Sequence, residues 1–489
     1  MKEDLQYDVI IIGCGLAGIY CALNLDVSLK VALIAEGHIE DTNSYLAQGG
    51  IAAAISPLDS WQWHYEDTMS CGHYESDPDA LRKMTMNATL EVQNLESLGV
   101  VFDHHDDQSY MLGMEGAHRL PRILRIGDYT GKAVMESLWQ VARNRENIHI
   151  INQFFAYEVV SSPTNASHVY GIYCDELVVL SSLTLVYATG GMGHLYHRTS
   201  NNKTVNGDGI AMAIKQGIVT RQLPLIQFHP TVFFNLKGDQ EGFLISEAVR
   251  GDSALLLNEK RERFMRKYHS LLELAPRDVV SSAILNELSK QSEPNVWLDV
   301  RHIGNTKMEK RFPTIYKYCR ERGINLDYDL IPVAPGAHYS MGGIAVDPFG
   351  KTNIDGVYAV GECASTKVHG KNRLASNSLL EALVFSKITA KEISRMKSSH
   401  EKVIQIHSTT SKQIPHYQVE LRTLSVWMDE NMGIVKNYPE IMRMKKEIQA
   451  IIDEPEEFVS INIEDIKRNN ALIVMNEMLT QALQEKEDE

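Results

Sequence analysis

The chain has 489 residues, 44% of them hydrophobic and 23% charged, which is ordinary for a globular protein with a large core and more than one domain. A formal net charge of -15 argues against a nucleic-acid partner, but it leaves room for a locally basic site that takes an acidic substrate. No stretch reaches the roughly 20 apolar residues of a membrane span, and the apolar run at residues 7–12 is too short for a signal peptide, so a cytoplasmic protein without membrane contact is expected.

The N-terminus reads YDVIIIGCGLAGIYCALNL. A β-branched run at residues 9–12 predicts a strand, and residues 19–25 predict a helix. Between them lie Gly13, Cys14, Gly15, Leu16, Ala17 and Gly18, in the G-x-G-x-x-G spacing. The first glycine permits a tight turn, the second lets backbone approach a pyrophosphate, and the third lets helix pack on strand. A second strand at residues 31–34 leads to Glu36, placed to take adenosine ribose hydroxyls. This motif alone suits NAD and FAD alike. The six cysteines form no C-x-x-C pair, so no zinc ribbon or iron–sulfur cluster is expected, and scattered thiols fit a reducing compartment.

Further along, YATGGMG (187–193) is a strand running into glycines. In NGDGIAMAIKQG (206–217), Asp208 is expected as a helix N-cap and Gly217 as the residue just past the helix end. DGVYAVGECA (355–364) is a late strand leading to Glu362, and in two-part flavoproteins such an acid reaches the ribityl chain. Together these elements favour FAD. In VHGKNRLASNSLLEALVF (368–385) a crowded polar run breaks into an apolar helix, a pattern suited to the floor of an anion site. The C-terminal part predicts helices at 422–431 and 440–452, followed by an acidic tail.

With NSYLAQGGIAA (43–53), FHP (228–230), ISEAVRG (245–251), PRDVV (276–280), PGAHYSMGGI (335–344) and NRLASNSLLEA (372–382), the chain resembles the fumarate reductase and succinate dehydrogenase flavoproteins. Within them it is most similar to the L-aspartate oxidase branch, flavoenzymes of NAD biosynthesis. The resemblance covers about the first 400 residues, with the motifs in family order. It implies an α/β fold: a Rossmann-like FAD-binding domain (1–225 and 339–400), an inserted α+β capping domain (226–338) and a C-terminal helical domain (401–489).

The same resemblance places FAD against Asn43, Ser44, Ala47, Gln48, Gly49, Gly50 and Asp208, besides the N-terminal glycines, Glu36 and Glu362. The backbone N–H groups of Ser378 and Leu379 would face the pyrimidine side of the flavin. Family members that bind FAD covalently use a histidine five positions before the Gln or Glu of this segment. Here that position is Asn43, ahead of Gln48, so the FAD should be non-covalent. Substrate-binding residues by correspondence are Gln227, Ser246, Glu247 and Ser376, with Arg277, Glu115, His229, His338 and Arg373 as catalytic residues. Arg277 and Arg373 would hold carboxylates, since a guanidinium fork matches two oxygens and its pKa above about 12 makes it a poor base.

Glu115 separates an amino acid from a plain dicarboxylate, because a second anion makes sense if the substrate also carries an ammonium group. The implied reaction is oxidation of L-aspartate to iminoaspartate by hydride transfer to flavin N5, with oxygen or fumarate as acceptor and quinolinate synthase as recipient of the product. Two alternatives stand beside it: a soluble fumarate reductase or succinate dehydrogenase flavoprotein, and a non-catalytic FAD-binding protein. Arg119, Leu120, Pro121 and Lys371 depart from the branch's pattern, and together they bear on substrate detail and entrance charge, not on the reaction class.

Overall fold

The β-branched N-terminal run forms the strand Leu5–Ile12 in the middle of a seven-stranded sheet. In the computed structural model, which describes residues 5–162, 165–235, 242–396 and 413–488, this strand pairs in parallel with Val31–Ala35 on one side and Glu176–Tyr187 on the other. Val31–Ala35 is buried at every position, as a parallel strand covered on both faces should be. Ile148–Asn152 extends one edge in parallel, and Asn165–Tyr173 and Phe154–Ser162 extend the other as an antiparallel meander. Val357–Ala359 returns from far along the chain and pairs in parallel with the last residues of Glu176–Tyr187.

Tyr187 is in register with both Ile12 and Ala359. Three strands therefore end at one level, and their glycine turns open on one crevice. Open α/β sheets bind ligands at such carboxyl edges. Gly13 has φ +114°, and a Cβ there would lie 2.1 Å from the Ala188 carbonyl oxygen; a Cβ on Gly18 would lie 1.9 Å from the Gly13 oxygen. These two glycines let the helix Leu16–Asn24 turn tightly off the first strand and lie flat against it.

A second, antiparallel sheet runs in the order Ile226–Phe233, Ile331–Ser340, Val296–Asp299, Leu255–Leu257. Helix Arg277–Leu288 packs on it, with a separate core that includes Phe264, Ile284, Leu298 and Phe312. The C-terminal region is helical: Leu421–Asn431 and Tyr438–Asp453 match the two expected helices, and a third, Ile463–Asp488, occupies the stretch read as an acidic tail. Its inward stripe of Leu472, Met475, Leu479 and Ala482 is fully buried, and it packs against helix Asp208–Lys215. Its charged residues crowd the ends and outer face, which hid the stripe. The boundary expected at 400/401 lies outside the described residues.

One local expectation is corrected. Asp208 is the first residue of its helix, not the N-cap; the cap position is Gly207, at φ +87°, and no side chain caps the turn. The Asp208 carboxylate instead accepts a hydrogen bond from Asn470, which tertiary packing brings across from the last helix. Gly217 does follow the helix end at φ +72°, its N–H donating to Ile214.

The segment that carries Glu115 is fastened by charge. Arg122 is wholly buried; its Nε donates to Asp59 at 2.9 Å, and Nη1 lies 3.0 Å from Asp67. Ile123–Leu124 pairs with Ile51–Ala52, which ties this segment to the one after Gln48. Replacing Arg122 by Met strands buried Asp59 without a cation and leaves Asp67 with Arg119 alone. We expect Arg122→Met to lose about 3–5 kcal/mol in denaturant unfolding, and a loss under about 1 kcal/mol would mean the cluster behaves like a surface pair.

Candidate active site

A cavity of about 1100 Å³ opens at the carboxyl edge of the large sheet. Its wall takes in Glu36, Phe155 and Asp208, then Gly13 to Ala17, Ser44 and Thr189, then Gln48, Glu362, His338, Tyr339, Arg373, Ser378 and Leu379. Polar atoms on it await a ligand: Asp208 Oδ2 and Thr189 Oγ1 are buried without a hydrogen-bond partner. Gly15, at the N-cap of Leu16–Asn24, offers no side-chain cap, and the Leu16 N–H donates to Ser44 Oγ at 3.0 Å. An acid for a ribose, a helix start for a pyrophosphate and a long cavity between them fit a dinucleotide. Glu362 is deep in the wall; burial pushes its carboxyl up to about 7, and it accepts the Ser340 N–H at 2.9 Å.

Helix Asn377–Met396 begins at the cavity, and its first-turn N–H groups, including those of Ser378 and Leu379, have no partner within the helix. Arg373 sits just before it. Its guanidinium carbon lies 4.4 Å from the Tyr339 ring centre, Nη1 donates to Ser378 Oγ at 3.2 Å, and Nε is buried without a partner. Burial and the nearby Arg277 charge pull its pKa down to about 10. The Tyr339 hydroxyl donates to Glu381, and His369 contacts the same carboxylate at 2.9 Å, so the platform under Arg373 is itself braced.

Glu115, Gln227, His229, Ser246, Glu247 and Arg277 are buried one layer behind the cavity wall. Arg277 Nε donates to Glu247 at 2.6 Å and Nη1 to Gln227 at 2.9 Å; the Gln227 amide donates to the Arg373 carbonyl at 2.7 Å. The two arginines expected on carboxylates are thus joined through one glutamine. Glu247 also accepts the Gly116 N–H at 2.7 Å. Burial would raise its pKa, but Arg277 and Arg250 hold it down at about 2. Glu115 differs: burial and the Glu247 charge raise it, although it accepts a hydrogen bond from Ser376 at 2.6 Å.

His229 Nδ1 accepts the Thr231 N–H at 3.2 Å, so its neutral ring carries the proton on Nε2, which is buried with no partner. His338 packs beside it at 5.0 Å between ring centres, with Nδ1 on Ser200 Oγ at 2.7 Å. Burial and the Arg277 charge keep both imidazoles neutral. Ser246 caps helix Glu247–Gly251 by accepting from Ala248, which leaves its O–H free to donate. Gln48 accepts the Ser246 N–H, and Asn43 is engaged on both faces by Asn201 and Asn202. A Cβ on Gly49 would lie 3.5 Å from Glu115 and Ser376, and the Gly50 N–H donates to Ser376, so this turn packs against the carboxylate site. Gly18 serves helix packing, not the cavity wall.

The departing residues are neutralised locally. Arg119 bonds Asp67 at 2.6 Å and Glu66 at 2.8 Å, and Lys371 meets Glu75 at 2.6 Å. Sequence reading passed over Arg250, Tyr339 and Glu381. Arg250 stands three residues after Glu247 in ISEAVRG, and that helical spacing was the available signal.

Comparison with known proteins agrees with this geometry. The FAD binding domain family matches residues 8–379. The chain is 44% identical to L-aspartate oxidase of Nostoc sp. over 78% of its length, spanning 66% of that protein. It is 39% identical to the Clostridium acetobutylicum L-aspartate oxidase, over 82% of this chain and 90% of that one. The chain belongs to the L-aspartate oxidase family. Its cofactor is FAD. Among solved structures, a quinol-fumarate reductase with menaquinol superposes at TM-score 0.88 with 26% identity, covering 99% of this chain and 91% of that one. The Mycobacterium smegmatis Sdh1 superposes at 0.82 with 27% identity, covering 99% and 87%.

Asn43 is a carboxamide held by two neighbours, and it has no ring nitrogen to link to a flavin. Acid precipitation of the purified protein should leave a colourless pellet and a yellow supernatant; colour retained in the pellet contradicts non-covalent binding.

Proposed function

We propose that this chain oxidises L-aspartate to iminoaspartate, as the opening step of NAD (quinolinate) biosynthesis in the cytoplasm, with oxygen or fumarate as electron acceptor and with the unstable imine passed to quinolinate synthase. The observation that carries the reading is Glu115: a buried carboxylate, raised by burial, placed among three buried guanidiniums. A plain dicarboxylate gains nothing from that acid. An amino dicarboxylate gives it an ammonium partner.

FAD supplies the hydride acceptor when bound. The residues do the rest. Arg373, backed by Tyr339, takes one substrate carboxylate with its unpartnered Nε and the part of its fork that Ser378 does not engage. Arg277, held by Glu247 and Gln227, and the Nε2–H of His229 supply donors for the other. Ser246 adds a hydroxyl. The unit expected as a cap, described at residues 226–235 and 242–338, lines the cavity with Phe243, Tyr318 and His338 and would keep water from it. Holding the substrate at both ends fixes its Cα–H in near-attack geometry, a large part of the rate. Glu115 receives the ammonium, and its carboxylate, made more basic by burial, takes one proton from it to leave the neutral amine that oxidation requires. Helix Asn377–Met396 aims its positive end at the charge that reduction creates.

Anaerobic mixing with L-aspartate and then with succinate, while flavin absorbance is followed, tests the reading. Bleaching by aspartate and not by succinate supports it; the reverse points to the succinate dehydrogenase type, and no bleaching by either points to a non-catalytic flavoprotein.

Two variants probe the residues. Arg373→Lys keeps the charge but loses the planar fork and the stack on Tyr339, so flavin reduction by aspartate should fall by at least about a hundredfold, the loss of two charge-assisted bonds; a near-normal rate contradicts the assignment. Glu115→Gln should lower kcat/KM for aspartate at least about tenfold, and leave fumarate reduction by the reduced enzyme unchanged or faster. Equal losses with both substrates would make Glu115 a structural residue.

A further inference from the structure

The C-terminal helix Ile463–Asp488 passes the dinucleotide end of the cavity, not the substrate end. Two of its side chains reach carboxylates in the cavity wall. Lys467 Nζ meets Glu36 Oε1 at 2.5 Å, and Asn470 Nδ2 donates to Asp208 Oδ1 at 2.7 Å. The i, i+3 spacing puts both on one helix face. The Asn470 carbonyl in turn accepts from Lys215 Nζ at 2.6 Å. Lys467 lies 5.5 Å from the centre of the Phe155 ring, another wall residue. Behind them the helix is anchored by its buried apolar stripe, so the two side chains are presented from a fixed backbone.

Each acid is gripped from behind at one oxygen. In Asp208 the other oxygen, Oδ2, is buried and unpartnered. We propose that this helix is a working part of the FAD site: Lys467 and Asn470 hold Glu36 and Asp208 ionised and aimed so that these acids accept the adenosine-side hydroxyls of the cofactor. The inference rests on the reading of Glu36 as the ribose acid.

Charge supports the geometry. Burial raises the Glu36 pKa and Asp208 adds to that, whereas Lys467 and Lys203 lower it; His194 also lies near both lysines, with His197 beside it. An ionised acid accepts two hydroxyls, and a protonated one spends a lone-pair site on its own proton. Affinity that depends on ionised Glu36 is present above its pKa and lost as pH falls through it. Without the Lys467 ammonium that pKa rises, so the loss begins at a higher pH.

The test is FAD release from the holoenzyme, read by recovery of flavin fluorescence on dilution between pH 5.5 and 8.5. The variants are Lys467→Met, Lys467→Arg, Glu36→Gln and the Lys467→Met/Glu36→Gln pair, each checked for native unfolding. Lys467→Met should raise the FAD Kd about fivefold at pH 8, the scale of a partly exposed charge contact. The gap should widen as pH falls. Lys467→Arg should restore affinity, and Lys467→Met should add nothing once Glu36 is Gln. Three results overturn the proposal: an unchanged Kd in Lys467→Met; a tighter one, which would make the lysine a competitor of the ribose; or a loss that is flat with pH and not rescued by Arg. If Glu36→Gln leaves FAD affinity unchanged, the ribose reading of Glu36 fails first. If that variant weakens binding and Lys467→Met does not, only the role of the helix fails.

Discussion

Three guanidiniums share one dry space: Arg250, Arg277 and Arg373 are all almost fully buried. Like charges at such range are tolerable only with acids among them, because a buried charge without a partner costs several kcal/mol. Glu247 is the hub. It touches Arg277 and Arg250 and takes a backbone N–H from the segment that carries Glu115. The second sheet unit, which supplies Arg277, Arg250 and Glu247, is therefore locked electrostatically to the loop from the flavin side. Glu273 adds its charge beside Arg250, and Glu362 beside Arg373. The donors without a hydrogen-bond partner on Arg373, Arg250 and His229 suit an anionic ligand.

The same balance explains why a cluster of buried guanidiniums also holds a raised Glu115. Glu247 is held ionised by contact with two arginines, and its charge then pushes Glu115 upwards. Two neighbouring acids are thereby driven apart in pKa, one fixed as a structural anion and one responsive to what arrives. An ammonium beside Glu115 favours its ionised form. In the proposed reaction substrate and acid are thus coupled, and a ligand without an amine forgoes that coupling.

Much of this was legible in the sequence. The glycine turns, Glu36, Glu362 and the run from Arg373 to Leu379 are local patterns in which spacing carries the chemistry, and the three strand ends do meet at one level. What was hidden depends on distant contacts. Asp208 looked like a cap because Asp before a helix usually is one; its partner, Asn470, lies 262 residues away. The last helix looked like a tail because its charged residues gather at its two ends, and only its docking against helix Asp208–Lys215 shows the stripe. Arg119 and Lys371 bore on the charge expected at the entrance, and each proves to be matched by an acid from the segment at 66–75.

Long-range pairing also bears on how the two ends of the cavity cooperate. Helix Asn377–Met396 touches the flavin side through Ser378 and Leu379, and its other turns pack on helix Leu16–Asn24, the same helix whose start faces the pyrophosphate. Ser376, at φ +61°, is the joint: its hydroxyl is on Glu115, its carbonyl accepts the Ala52 N–H, and the helix begins at the next residue. A non-glycine residue in the left-handed region is strained, and it persists here because contacts on both sides fix it. That joint ties Glu115, the acid proposed to meet the substrate's amine, to the helix proposed to face the flavin, so the two are positioned by one piece of backbone and not by independent loops.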